Sequence, residues 1–152
     1  MDTVSDFEDF LSLFAAHRVR YMIIGGMAFI FHAKPRFTKA MDLWVDPAGD
    51  NVLRTNLALS EFGSPELLDE ANPAEILQLG VAPNRIDILR SIPGVAFNDA
   101  WVHRLESRYG SSPAIFVGLD TLIQIKSAIR DPRHQDDARV LRAVKRLQSS
   151  RR

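Results

Sequence analysis

The sequence contains no cysteine in 152 residues. That excludes a disulfide scaffold, a thiol nucleophile and any cysteine-ligated zinc or iron–sulfur centre. It fits a reducing compartment. A long hydrophobic run is also missing: the longest, Tyr21 to Phe31, falls far short of the roughly 18 residues of a membrane span. Net charge is absent too, because 19 Lys and Arg balance 19 Asp and Glu. Whole-molecule attraction to nucleic acid or to a membrane is therefore no argument here. The first residues include Asp2, Asp6, Glu8 and Asp9, where a secretory signal would be basic. The expectation is a cytoplasmic protein with no membrane partner. No internal repeat occurs, no Walker A follows Gly25-Gly26, and no serine-nucleophile motif is present. His17, His32, His103 and His134 show no metal spacing and read as surface or boundary residues.

What remains is an ordinary globular composition, 46% apolar and 25% charged, at a length that indicates one domain over residues 1–152. Ser5 and Glu8 form a capping-box pair, and Phe7, Phe10, Leu11 and Phe14 follow at helical spacing. Residues 20–24 read as a buried strand that ends in a Gly25-Gly26 turn, with a short helix from Met27 to His32. Residues 41–45 alternate as a strand. A helix is expected over 51–62, stopped by Gly63. Strands are expected over 76–79 and 85–89, joined by a turn at Pro83 and Asn84, with a strand pair over 104–109 and 114–117. A short helix over 97–102 lies between them. Two helices close the chain, over about 119–130 and 134–148, separated near Pro132, with the last few residues disordered. The expected fold class is α/β (α+β), a mixed central sheet flanked by helices. From Lys126 onward nine Lys and Arg face three Asp and Glu. That run fits either a solvated helix face or a phosphate or RNA contact surface.

Three features point to chemistry. On the strand 40–46, Ala40, Asp42, Trp44 and Asp46 share one face, and Met41, Leu43 and Val45 share the other, which is apolar. Asp42 is either a half-exposed residue on a wet sheet face or a ligand. Asp87, flanked by Ile86 and Ile88, lies on a second strand. If the strands are neighbours, Asp42 and Asp87 converge on one oxygen-donor site suited to a hard cation such as Mg²⁺. Gly25-Gly26, between a strand and a helix, lets backbone approach a phosphate. Lys126 falls inside the apolar stripe of its helix. Its ammonium either snorkels to the edge or points into a cleft to neutralise a triphosphate. Trp44 shares the face of Asp42 and is a candidate to stack on a base.

Taken together, Gly25-Gly26, Arg36-Phe37-Thr38-Lys39-Ala40-Met41-Asp42-Leu43-Trp44-Val45, Asn84-Arg85-Ile86-Asp87, Lys126 and Arg133 with Asp136 resemble the minimal nucleotidyltransferases of the DNA polymerase β-like superfamily. The resemblance is closest to the AbiEii-type and minimal nucleotidyltransferase toxins, and it spans about residues 18–145. It implies a nucleotidyltransferase fold, transfer of an NMP from an NTP, and two Mg²⁺ ions. It implies an acceptor hydroxyl on RNA, such as a tRNA 3′ end, or on a protein. It also implies a toxin-like role beside an antitoxin in a bacterial toxin–antitoxin or phage-defence pair. By resemblance, Asp42 and Asp87 are metal ligands, Asp42, Asp87 and Lys126 are catalytic, and Gly25, Gly26, Arg36, Thr38, Lys39, Trp44 and Lys126 bind nucleotide. The chain departs from the pattern at Ala40, where the first metal-binding Asp is expected. Met27 stands where many members have Ser, and Arg139 at a further acidic position. Ala40 fits a disabled version of an active enzyme, a natural variant that uses another ligand such as Asp46, or an inactive module that binds nucleotide, RNA or a partner protein.

Overall fold

The computed structural model describes residues 3–151, with side chains from residue 6. The elements are α1 (Thr3–Ala16), β1 (Tyr21–Ile24), α2 (Gly25–His32), β2 (Ala40–Val45), α3 (Gly49–Phe62), β3 (Leu77–Leu79), β4 (Arg85–Leu89), α4 (Phe97–Trp101), β5 (Leu105–Tyr109), β6 (Ser112–Phe116), α5 (Leu119–Ser127) and α6 (Pro132–Ser150). The six strands form one mixed sheet in the order β3-β4-β2-β1-β6-β5. β2 runs parallel to β4 and antiparallel to β1, and β1 runs parallel to β6.

Each face of the sheet is covered. The helical stripe Phe7, Phe10, Leu11 and Phe14 of α1 packs with Val52, Ala58 and Leu59 of α3 on Ile23, Met41, Leu43, Val45, Ile86 and Ile88. Phe14 meets Tyr21 edge-on with centroids 5.4 Å apart. Each such fully buried side chain is worth roughly 1.5–3 kcal/mol. On the opposite face Met22, Ile24 and Trp44 pack against Ala28 and Phe29 of α2, Phe97 of α4, Leu122 of α5 and Leu141 of α6. The face that carries Asp42 is therefore not a wet one, and a carboxylate on it is a buried or cleft group.

Local chemistry explains the helix ends. Gly63 closes α3 in the left-handed region at φ 92°, its N–H reaching Leu59 and Ser60 carbonyls. The last two helices are separated next to Pro132 as expected, over residues 128–131, and Pro132 itself opens α6, two residues before the expected start. Its ring fixes φ where a helix needs no first N–H, and the Asp131 carboxylate accepts from the Arg133 N–H as the N-cap. α5 stops at Ser127, short of the expected 130, and α6 runs on to Ser150. The capping box read at Ser5 rests on a side chain outside the described residues. Glu8 accepts from the Ser111 hydroxyl at 2.7 Å.

Candidate functional site

α2 starts directly where β1 ends, and Gly25 makes the transition at φ 65°. A Cβ there would land on the Asp42 carboxylate, and one at Gly26 would lie 2.6 Å from Thr38 Oγ1. The two glycines thus admit Asp42 and Thr38 against the start of the helix. Thr38 donates to the Ala40 carbonyl at 3.1 Å.

In the parallel ladder of β2 and β4, Asp42 stands in register with Asp87. Neighbouring strands lie about 4.8 Å apart, so two in-register carboxylates on one face crowd each other. They hydrogen-bond, and the Asp42 carboxyl is pushed up to about 7. Burial contributes most, followed by the Asp87 charge and the bond between them; Arg85 and Lys126 pull the other way. Up to about neutral pH Asp42 therefore keeps its proton. Arg85 grips Asp87 in a two-pronged bond, Nε and Nη2 each at 3.0 Å, which fixes its orientation.

Lys126 comes from α5 and is only 3% exposed. The snorkelling alternative is overturned: Nζ donates to Asp137 Oδ2 at 2.8 Å and lies 3.2 Å from His134 Nδ1. Arg36 binds the same Asp137 through both terminal nitrogens, at 2.8 and 2.9 Å, and lies over the Phe29 ring at 4.0 Å. Burial pushes Asp137 up, but the bonds from Arg36 and Lys126 outweigh it and hold the carboxyl below the usual range. His134 is held below its ordinary value by burial and by the Lys126 charge, so its ring is neutral and Nδ1 accepts from the ammonium.

These groups surround one cavity of about 510 Å³. Gly25, Gly26, Arg36, Thr38, Lys39, Ala40, Asp42, Asp87 and Lys126 all line it, from four separate segments of the chain. Arg85, Phe37, Arg133, His134 and Asp137 complete the wall. The lining holds five cationic side chains and three carboxylates. Such a balance favours a polyanion.

Two candidates lie elsewhere. Trp44 is 1% exposed and packs edge-on against Phe97 at 5.3 Å, beside a different cavity of about 330 Å³. It offers no ring face to a base in the Asp42 cavity. Asp46 borders that second cavity as well, paired with Arg20 at 2.8 Å and capping the Ala48 N–H at 3.0 Å. Four residues along a strand span about 13 Å, which puts Asp46 out of reach as a substitute ligand for Ala40.

Asp137 and Phe37 escaped the sequence reading, and His134, read there as a surface or boundary residue, lines the cavity. A signal for Asp137 existed: it lies four residues before Leu141 and beside Ala138, inside the buried stripe of α6, as Lys126 lies inside that of α5. The motif match fell instead on Asp136, which pairs with Arg139 at 3.0 Å in solvent. Arg133 pairs with Asp131 at 3.1 Å at the cavity edge.

Among the described residues no group of three or more His, Asp or Glu side chains is arranged to hold a metal ion. The in-register carboxylates Asp42 and Asp87 are nonetheless a donor set for one hard cation, which would complete its shell with water and phosphate oxygens. Ala40 adds only a methyl group, so the donors fit one such ion better than two. No protein-family model matches the chain, and no curated protein matches it either.

Proposed function

We propose that the chain is a nucleotidyltransferase-fold protein whose cavity takes the triphosphate of an NTP with one Mg²⁺, for slow transfer of an NMP to a hydroxyl of RNA or protein. The observation that carries this reading is the in-register pair Asp42 and Asp87, crowded enough that Asp42 keeps its proton up to about pH 7. A divalent cation relieves that conflict by taking the proton's place. The order of motifs described above supports the same reading. It also supplies the acceptor classes, a tRNA 3′ end or a protein hydroxyl, and a toxin-like role beside an antitoxin.

Each group then has a task. Asp42 and Asp87 are the residues to hold Mg²⁺, with Asp87 oriented by Arg85. When bound, the ion supplies positive charge that stabilises the developing charge on the transferring phosphate. The Gly25-Gly26 backbone at the start of α2 suits phosphate oxygens. Lys126 and Arg36 turn their charge to the triphosphate from a common anchor on Asp137. The acceptor oxygen bonds to the α-phosphorus, the bond to pyrophosphate breaks, and the hydroxyl proton leaves to solvent. No carboxylate stands at position 40 to help that hydroxyl, which makes the step slow.

The test is incubation with each labelled NTP, Mg²⁺ and a cell lysate, comparing the chain with its Ala40→Asp variant. The variant is expected to transfer label at least about a hundredfold faster, equivalent to about 2.7 kcal/mol of transition-state stabilisation. Ala40 itself favours a second reading, a module that binds nucleotide, RNA or a partner without transfer. Label transfer by neither protein, with nucleotide binding intact, decides for that module. Absence of both transfer and binding rejects the nucleotide site.

A further inference from the structure

Phe37 is 76% exposed, yet it lines the cavity wall next to Arg36 and Thr38. Its two neighbours are tethered to the wall. Arg36 is held by two bonds to Asp137 and lies over the Phe29 ring. Thr38 is drawn inward by its bond to the Ala40 carbonyl and its fit against Gly26. Between these two tethered residues Phe37 is turned out, at the mouth of a cationic cavity. The protein thus holds a bare aromatic face beside a polyanion site and gains no burial from it. Trp44, the aromatic that the sequence offered for a base, is sealed in the core.

We infer that Phe37 is the nucleobase platform of this site: the base of a bound nucleotide stacks on its ring while the phosphates occupy the cavity. This rests on the nucleotide reading above and deepens it. Stacking on one ring reads the size of the π-face rather than hydrogen-bond edges. The site therefore takes purine nucleotides better than pyrimidine ones and separates adenine from guanine weakly. The rim contributes charge rather than base reading: Lys39 and Arg133, both exposed, line the same cavity as Phe37.

The experiment is calorimetric titration of the parent, Phe37→Ala and Phe37→Trp proteins with Mg–ATP, Mg–GTP, Mg–CTP and inorganic tripolyphosphate. Phe37→Ala should weaken both purine nucleotides about tenfold, about 1.4 kcal/mol, within the range for loss of one base–aromatic stack. It should leave tripolyphosphate affinity unchanged, because that probe has no base. Phe37→Trp should restore or tighten purine binding. All three proteins should unfold at the same temperature, since the ring is largely in solvent. An equal loss for tripolyphosphate would make Phe37 a support of the loop and overturn the inference. So would unchanged nucleotide affinity in Phe37→Ala, while leaving the nucleotide site itself standing. A parent that binds neither nucleotide nor tripolyphosphate overturns both.

Discussion

Replacing Asp42 by Asn probes the carboxylate pair without needing any activity. In the unfolded chain Asp42 ionises near 3.8, and in the folded protein near 7. Between those values the unfolded state has lost a proton that the folded state keeps, so rising pH favours unfolding. The contribution of this proton is fully present below about pH 4 and is gone above about pH 7. Three pH units correspond to about 4 kcal/mol, which is the ceiling on what the ionised pair costs at pH 8. An Asn side chain mimics the protonated carboxyl, since its amide donates to Asp87 and carries no charge. Asp42→Asn is therefore expected to be more stable than the parent by about 2–4 kcal/mol at pH 8 and by less than about 0.5 kcal/mol at pH 4. Urea unfolding at the two pH values reads both numbers. Added Mg²⁺ should stabilise the parent at pH 8 and leave Asp42→Asn nearly unchanged, because a ligand that binds only the folded state shifts unfolding. A variant no more stable than the parent at pH 8 would refute the crowding and, with it, the main argument for a cation there.

Lys126→Met keeps the buried stem and deletes the ammonium that holds Asp137; with Arg36 still in place the loss should be about 1–3 kcal/mol in urea unfolding, accompanied by much weaker tripolyphosphate binding. Gly25→Ala puts a side chain in the left-handed region, about 1–2 kcal/mol, and a methyl on the Asp42 carboxylate. Its melting temperature should fall and Mg²⁺ binding should disappear, whereas loss of only one would contradict this packing. Asp46→Asn breaks the pair with Arg20 but lies beside another cavity, so nucleotide affinity should not change.

The sheet and helices were legible where a single period dominated. Phe7, Phe10, Leu11 and Phe14 on α1, and Met41, Leu43 and Val45 on β2, announce their buried faces directly. Pro132 marked the break between the last two helices, and the start of α6 was read two residues late because proline fits the first position of a helix behind the Asp131 cap. In the site, Asp42 and Asp87 could be picked out because each interrupts an apolar strand. Their register could not be read, since parallel pairing between β2 and β4 depends on 39 intervening residues closing in the right place. Trp44 and Asp46 were misplaced for one reason: sharing a strand face says nothing about which end of the strand a cavity occupies. Asp137 was hidden behind Asp136, because two adjacent carboxylates on a helix look alike until the stripe decides which one is buried.

The anchor on Asp137 has a consequence for a shortened chain. Arg36 follows the second helix, Lys126 sits in the fifth, and the carboxylate that gathers them belongs to the last. A chain that lacks α6 still has Asp42 and Asp87 on adjacent strands and Gly25-Gly26 at the start of α2, but Arg36 and Lys126 have no common hold. One wall of the cavity is thus supplied by the last helix of the chain. A product cut short before that helix lacks the carboxylate that Arg36 and Lys126 share.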